Sequence, residues 1–222
     1  NCNDLYCNNA LLQDLLSQLQ MKPVVLPDVI SNLGHVHYKG DVRGRLEHLY
    51  LHGLFSTALG AVNITGDLKS DTTLQDFDFC GHVSTMNFQL GKMLNNSDLG
   101  AVKFHAHMDI EVDSMAFRQC KADMKIDQIE YRGYTYEDIQ FDGEVTTEQM
   151  NGYLNIQDEN VQLTMEGLAD WSKKDTRLDI TAHLEDLRPE AIHLTEAYPE
   201  MAISATAYVN LYTSGELNQV LD

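Results

Sequence analysis

Strict alternation of apolar and polar residues is the feature that most constrains this chain. Between residues 102 and 113, every second position is apolar, and the positions between carry charged residues or histidines. The apolar set is Val102, Phe104, Ala106, Met108, Ile110 and Val112. Because successive side chains of a β-strand point to opposite faces, this pattern predicts a strand with one apolar and one hydrated face.

Similar alternation recurs through most of the chain after residue 33. Strands spaced in this way and separated by short turns predict an antiparallel meander. No proline occurs between Pro27 and Pro189, and proline is excluded from the interior of paired strands, so this stretch is compatible with continuous sheet. Within it, only residues 90–94 suggest a short helical turn.

We therefore predict an all-β fold, an antiparallel meander that forms an elongated curved sheet, with one short N-terminal helix. Without interior helices, the apolar faces have two choices. They line a shared hollow, which gives an open trough or half-pipe, or they pack on another sheet and close to a sandwich. The pattern alone does not choose between these.

Three regions are predicted along the chain. Residues 1–27 form an N-terminal helix and linker, because residues 9–21 carry the leucine spacing of an amphipathic helix. Residues 28–186 form the β-trough unit. Residues 187–222 form a connector and the first strand of a following, truncated unit.

Local signals refine these boundaries. Asn8 or Asn9 can cap the helix, and Pro23 ends it. Asp142-Gly143 and Asn151-Gly152 are turn dipeptides, which favour hairpin turns at these positions.

Charge excludes several classes of partner. The chain has 15 Lys and Arg against 34 Asp and Glu, which gives a formal charge of −19 with neutral histidine. Nucleic-acid binding depends on basic residues, so nucleic acid is not expected as a partner. Flat docking on an anionic membrane surface is disfavoured for the same reason. No apolar run reaches the length of a membrane helix, about 18 residues.

The sequence carries no recognisable catalytic signature, and we predict that the protein is not an enzyme. Phosphate-binding glycine loops, the nucleophile elbow and the zinc-protease motif do not occur. We predict no cofactor and no metal site. The histidine pairs His35/His37 and His105/His107 are interpreted as parts of a hydrated outer face, since no third ligand is evident. Cys2 and Cys7 are close enough to bridge, but free thiols are favoured.

The long apolar face is the best candidate for function. As the core of a sandwich it has no further role, whereas as the lining of an open groove it would bind acyl chains. The candidate groove-lining residues are Val102, Phe104, Met108, Ile110, Val112, Ile139, Phe141, Leu163, Met165, Ile180 and Leu184.

Six segments of this sequence, taken with their order and spacing, carry a resemblance to a known family. They are GHVHYKGDVRG (34–44), GLFSTALG (53–60), CGHVSTMNFQLGKML (80–94), IEYRGYTYEDIQFDG (129–143), NGYLNIQDEN (151–160) and MEGLAD (165–170). The stretch from Leu26 to Leu194 resembles the Bacteroidetes branch of the TamB family, the translocation and assembly module of the AsmA-like group. The cysteines and several histidines depart from the family pattern.

The resemblance implies a β-sheet trough that spans the periplasm and carries phospholipid between the inner and outer membranes. It implies that this chain is an internal fragment of a longer protein anchored in the inner membrane. The implied partners are phospholipid acyl chains and outer-membrane β-barrel proteins, and the family has no catalytic residues to transfer. Exposed apolar faces also favour a dimer of the fragment.

Two alternatives remain. The first is a scaffold for outer-membrane protein assembly, in which an exposed edge strand pairs with a client strand by β-augmentation. The second is a carbohydrate-binding β-sandwich that uses the cluster of Tyr131, Tyr134, Tyr136 and Tyr153. Tyrosine is also a good strand former, which explains the same cluster without a ligand.

Overall fold

In the computed structural model, the described residues of the chain form twelve β-strands and two short helices. The structure describes residues 4–20, 23, 31–45, 47–71, 76–113, 116–172, 175–195 and 201–214. Helix α1 spans Asn9–Gln20, and helix α2 spans Leu90–Leu94. The strands are β1 (Asp4–Asn8), β2 (His35–Arg45), β3 (His48–Thr57), β4 (Gly60–Ser70), β5 (Phe77–Gln89), β6 (Leu99–Asp113), β7 (Ala116–Tyr131), β8 (Tyr134–Thr146), β9 (Gln149–Asp158), β10 (Val161–Asp170), β11 (Asp175–Leu187) and β12 (Ala205–Ser214).

All twelve strands belong to one sheet, and their order in space is their order along the chain. Every neighbouring pair is antiparallel. The predicted antiparallel meander is therefore confirmed, and strands from all three predicted regions take part in it. Among the described residues, β1 and β12 form the two edges of the sheet.

Both helices agree with the sequence-based expectation. Asn8 caps α1, because its side-chain oxygen accepts a hydrogen bond of 2.9 Å from the backbone N–H of Leu11. Helix α2 occupies the predicted turn at residues 90–94 and ends at Asn95, whose φ of 54° is left-handed. Cys2 lies outside the described residues, and Cys7 is a free thiol on β1.

The turns predicted at Asp142-Gly143 and Asn151-Gly152 were wrong. Gly143 and Gly152 lie in the interiors of β8 and β9, directly opposite each other. The glycines are needed there for close packing, as described below, and not for a change of chain direction. The chain instead turns at residues 147–148, between β8 and β9, and at residues 159–160, between β9 and β10. A third turn, between β7 and β8, lies at Arg132 and Gly133, whose φ values of 50° and 79° are both left-handed, as a type I′ turn requires.

A candidate apolar binding groove

The strand register divides the sheet into two chemically different faces. Residues directly opposite on neighbouring strands point to the same side, so the pairing can be followed across the whole sheet. One such row of opposed residues is Leu5, Tyr38, Phe55, Val62, Thr85, Phe104, Ile126, Ile139, Ile156, Leu163, Leu184 and Ala205. We call the side that carries this row the apolar face and the opposite side the polar face.

Thr85 is the polar exception in this row, and its hydroxyl is satisfied. Thr85 is only 2% exposed, and its hydroxyl donates a hydrogen bond of 2.8 Å to the carbonyl oxygen of Ala61. A hydroxyl bonded to the backbone adds little polarity to the surface around it. The row is therefore effectively apolar across all twelve strands.

The apolar face carries all eleven candidate groove residues that the sequence suggested. Phe104, Ile139, Leu163 and Leu184 belong to the row above, and Phe141 and Met165 belong to the next row. The remaining five occupy further positions on this face: Val102, Met108, Ile110, Val112 and Ile180. Their common placement follows from the period of two, but their role in binding stays a prediction.

Three aromatic side chains lie close over glycine pairs on the apolar face. The sets are Tyr38 with Gly40 and Gly53, Phe79 with Gly66 and Gly81, and Phe141 with Gly143 and Gly152. A Cβ atom added at any of these glycines would lie within 3.3 Å of the aromatic side chain. Each ring thus covers the bare backbone of two neighbouring strands, which glycine alone would leave open. Sequence analysis missed this pattern, although aromatic-x-glycine at 38–40, 79–81 and 141–143 was a visible signal.

Short segments cover the apolar face along one side of the sheet. We call this the covered side; the connections β3–β4, β5–β6, β7–β8, β9–β10 and β11–β12 lie there. Leu59, Phe88 and Val102 form a buried cluster against which Leu33 and, from α2, Leu90 and Met93 pack. The side-chain amide of Asn32 donates a hydrogen bond of 2.9 Å to the carbonyl of Met93. This bond ties the residues before β2 to α2.

The connector between β11 and β12 forms a second cover on the same side. Ile192 in this connector is only 4% exposed. Its neighbour His193 lies with its ring centroid 6.3 Å from that of Tyr134, edge to face. On the opposite side, which we call the open side, apolar residues stay accessible: Met150 on β9 is 42% exposed and Leu211 on β12 is 43% exposed.

A cavity of about 470 Å³ lies on the apolar face beneath α2. Its lining comes from β2 to β7, from α2 and from the residues before β2: Leu33, Val36, Phe55, Thr57, Val62, Ile64, Val83, Phe88, Leu90, Met93, Val102, Phe104, Met124, Ile126 and Ile129. Six flat strands would span about 24 Å, too wide to border one such cavity. The sheet is therefore concave on its apolar face. The hydroxyl of Thr57, the one polar lining residue, donates to the carbonyl of Gly60 instead of facing the cavity unpaired.

A second apolar cavity of about 170 Å³ lies farther along the same face. Phe141, Leu154, Met165 and Ile180 line it, with Gly152 and Gly167 beneath. Five candidate residues therefore border one of these two cavities: Val102, Phe104, Phe141, Met165 and Ile180. The lining from β2 to β4 was missed, because the alternation there is shorter and interrupted by glycine. We call the two cavities and the apolar face between them the groove.

The polar face carries a network of histidines and carboxylates. Asp127 lies 3.4 Å from the Lys103 ammonium and 3.0 Å from the His105 ring nitrogen. Burial alone would raise the pKa of Asp127. The hydrogen bonds and charges of Lys103, and then of His105, lower this pKa by a larger amount, so that it lies below its usual value. No group of three or more metal-binding side chains occurs among the described residues.

The four tyrosines of the carbohydrate alternative do not share one surface. The rings of Tyr134 and Tyr136 contact each other at 4.8 Å on the covered side, and Tyr131 lies opposite Tyr134. Tyr153 instead faces Asp142 and belongs to the polar face.

The surroundings of Cys80 and Cys120, on the central strands of the sheet, are not those of an activated nucleophile. Burial, followed by the charge of Asp109, raises the pKa of the Cys120 thiol, which disfavours the reactive thiolate. Cys80 lies on the polar face with its sulfur 4.0 Å from the Nε2 of His107, too far for a strong hydrogen bond.

The fold and the groove together define a class of protein: a single antiparallel sheet with one continuous apolar face and one charged face. No family model, no curated protein and no solved structure matches the chain. In the described part of the chain, neither helix has the length and apolar character needed to cross a membrane.

Proposed function

We propose that this chain is a non-enzymatic segment of a TamB-type, AsmA-like protein that carries phospholipid through its groove. The observation that supports this proposal best is the row across twelve strands, apolar except for the hydrogen-bonded Thr85, together with the 470 Å³ cavity on the same face. Small-molecule sites commonly have volumes of roughly 300–1,000 Å³. The groove has the size and the chemistry for a hydrocarbon chain.

The physical basis is the transfer of methylene groups from water to an apolar surface. Each buried methylene contributes roughly 0.8 kcal/mol, so a chain of several methylenes gains useful affinity without any polar contact. Strand backbones are already hydrogen-bonded within the sheet, so an acyl chain in the groove meets side chains and not unpaired peptide groups. Since segments cover one side of the groove, the head group would lie toward the open side.

The wider setting is part of the same proposal. By resemblance, the segment belongs to the periplasm, within a protein anchored in the inner membrane, and passes lipid between the two membranes. The scaffold alternative would use an edge of the sheet and not the groove. Changes inside the groove therefore separate the two functions.

Native mass spectrometry of the purified chain, followed by organic extraction of bound lipid, tests the proposal. Met165→Asp places a charge in the groove, since Met165 opposes Leu154 and Ala182 on the apolar face. Thr164→Asp is the matched control, because Thr164 is its neighbour on β10 and opposes Asn155 and His183 on the polar face. We expect bound phospholipid in the wild type and the control, and its loss in Met165→Asp.

Far-UV circular dichroism and thermal unfolding of both variants verify that the sheet persists. A lipid-free wild type in a stable monomer would contradict the proposal. Equal lipid loading of Met165→Asp and Thr164→Asp, with both folded, would also contradict it, because the bound lipid would then lie elsewhere.

A further inference from the structure

The described lining of the groove offers contacts to hydrocarbon but no cation to a phosphate. None of the residues that line the cavities of 470 Å³ and 170 Å³ is charged. Lysines of the central strands lie on the polar face, where Lys103 is 3.4 Å from Asp127 and Lys121 is 3.8 Å from Glu144. Proteins bind phosphate through Arg, Lys or free backbone N–H groups, and the strand N–H groups are already used within the sheet. The groove is therefore built to hold a lipid by its acyl chains.

The position of the head group follows from the cover on one side of the larger cavity. A chain that ends beneath α2 must run toward the open side. On β5, Val83 lines this cavity and Phe77 begins the strand on the open side. These two residues are six positions apart, about 20 Å along a strand. One leaflet of a bilayer has a hydrocarbon thickness of roughly 15 Å. The head group of a lipid in the larger cavity would therefore lie close to the open end of β5 and its neighbours.

Carboxylates outnumber basic side chains at that end. The strand ends and connections of β2 to β7 on the open side are residues 45–48, 69–78 and 111–118. Lys69 lies opposite Asp78, and the guanidinium of Arg118 lies 3.7 Å from the carboxylate of Glu111. The same end of the smaller cavity differs, since residues 170–175 contain two lysines and two aspartates. The three ranges near the larger cavity contain six acidic residues, Glu47, Asp71, Asp76, Asp78, Glu111 and Asp113, and three basic ones, Arg45, Lys69 and Arg118.

Three of these carboxylates are held near one another. Phe77 opposes Val112, so Asp76 and Asp113 follow at the same end of the neighbouring strands β5 and β6. Both residues are exposed. The carboxylate of Asp71 accepts a hydrogen bond of 3.2 Å from the backbone N–H of Asp76, which brings a third acid to this place. The head group of a lipid in the larger cavity would thus meet a negative potential.

We infer, building on the proposed function, that the larger cavity takes phospholipids of zero net charge in preference to anionic ones with the same acyl chains. A head group with an ammonium group, as in phosphatidylethanolamine, places a cation beside Asp76 and Asp113. Phosphatidylglycerol brings only the negative charge of its phosphate. Exposed charges interact over about 10 Å at 0.1 M salt, so a few carboxylates near the head group change a binding ratio by roughly threefold.

Competition between the two lipids within the same vesicles tests this inference. The 222-residue chain is incubated with vesicles that contain equal amounts of phosphatidylethanolamine and phosphatidylglycerol with identical acyl chains. The protein is recovered, and the bound lipids are extracted and counted by mass spectrometry. Repulsion between the acidic chain and the vesicle surface is common to both lipids. At low salt we expect phosphatidylethanolamine to be enriched roughly threefold over phosphatidylglycerol, and the enrichment to vanish near 1 M salt, where screening is nearly complete.

The test variant is Asp76→Lys/Asp113→Lys, in which we expect the enrichment to disappear or to reverse. Asp123→Lys/Glu166→Lys is the matched control, because it makes the same charge change at exposed positions of the polar face. It should keep the preference of the wild type. The isosteric variant Asp76→Asn/Asp113→Asn should give an intermediate ratio, and circular dichroism verifies that all three variants are folded.

The outcomes separate this inference from the proposed function. Bound lipid in the ratio of the vesicles at low salt would overturn the inference and leave lipid carriage intact. An enrichment that Asp123→Lys/Glu166→Lys removes as fully as Asp76→Lys/Asp113→Lys would also overturn it, since net charge and not the open end would then decide. A chain that takes up neither lipid would contradict the proposed function itself, and the inference with it.

Discussion

The glycine pairs beneath Tyr38, Phe79 and Phe141 fix how closely neighbouring strands approach at these points. At Gly66 an added Cβ would lie 2.5 Å from the carbonyl oxygen of Cys80 and 2.7 Å from the Cα of Gly81. Both are backbone atoms, which cannot move aside without disturbing the ladder. At Gly152 the corresponding contacts are longer, 3.0 Å and 3.2 Å. The two glycines therefore differ in how strongly the structure requires them.

The variant Gly66→Ala should destabilise the protein by about 1–3 kcal/mol, the usual cost of overpacking. Gly152→Ala is the matched control, on the same face and beneath an equivalent aromatic ring. There, the loss of unfolded-state entropy offsets the milder contact, and we expect a change within about 1 kcal/mol. Urea unfolding followed by circular dichroism measures both. Equal destabilisation of the two variants would show that the backbone distances do not decide the effect.

At single positions, sequence reasoning succeeded where the period of two applies and failed where glycine is concerned. The side of the sheet on which Phe104 or Leu163 lies follows from alternation alone. Gly143 and Gly152 were misread because Asp-Gly and Asn-Gly are strong local turn signals. The requirement that overrides this signal is the opposing strand and the ring of Phe141, which are known only once the register is known.

At the scale of the elements, strands β8 and β9 show how a side chain can replace backbone pairing at the end of a strand. Their backbone pairing begins at Ile139 and Ile156. Asp158, only 3% exposed, ends β9 and accepts three hydrogen bonds. The donors are the hydroxyl of Tyr134 at 2.6 Å, the backbone N–H of Glu137 at 2.9 Å and that of Asn160 at 2.8 Å. The carboxylate replaces the strand partner that β8 lacks at this end, which fits the rule that buried polar groups are paired.

Tyr134 should make stability fall at alkaline pH. Burial, followed by its hydrogen bond to Asp158, raises its pKa from 10.0 to about 12. The folded state then holds the phenolic proton where the unfolded state releases it, so this contribution is complete below pH 10 and is lost as pH rises toward 12. Tyr134→Phe should reduce this alkaline loss and, by removing a bond to a carboxylate, cost about 1.5–3 kcal/mol at neutral pH.

Urea unfolding from pH 7 to pH 11 measures both effects of Tyr134→Phe. Tyr153→Phe is the control, because Tyr153 lies on the polar face of the paired strand β9. The control should keep the alkaline slope of the wild type. An unchanged slope in Tyr134→Phe would mean that this tyrosine does not carry the pH dependence.

The existence of the elements was predictable, but their arrangement around the groove was only partly so. Helix α1, helix α2 and strand β6 follow from local spacing, which an amphipathic pattern displays directly. The cover over the groove depends on contacts between distant segments, such as that of Asn32 with Met93 and that of His193 with Tyr134. No local pattern in a single sequence encodes such contacts. The concavity of the sheet, and hence the cavity under α2, escaped prediction for the same reason.

At the scale of the whole molecule, the protein is a nearly one-dimensional assembly of strands. Each strand pairs only with its neighbours along the chain, and the described strands form no second sheet. Stability in such an assembly is close to a sum of terms from adjacent units, so its ends can open without its centre. The covers are not evenly distributed, since α2 and the buried cluster of Leu59, Phe88 and Val102 lie over the strands from β3 to β6.

This arrangement predicts a gradient of local stability along the sheet. Amide hydrogen exchange should be slowest in β5, β6 and β7, which are long strands paired on both sides beneath or beside the cover. It should be fastest in β1 and at the outer side of β12, where unfolding exposes the least apolar surface. Exchange measured by mass spectrometry resolves the strands individually. Uniform protection across all twelve strands would instead indicate one cooperative unit, held by interactions beyond neighbouring strands.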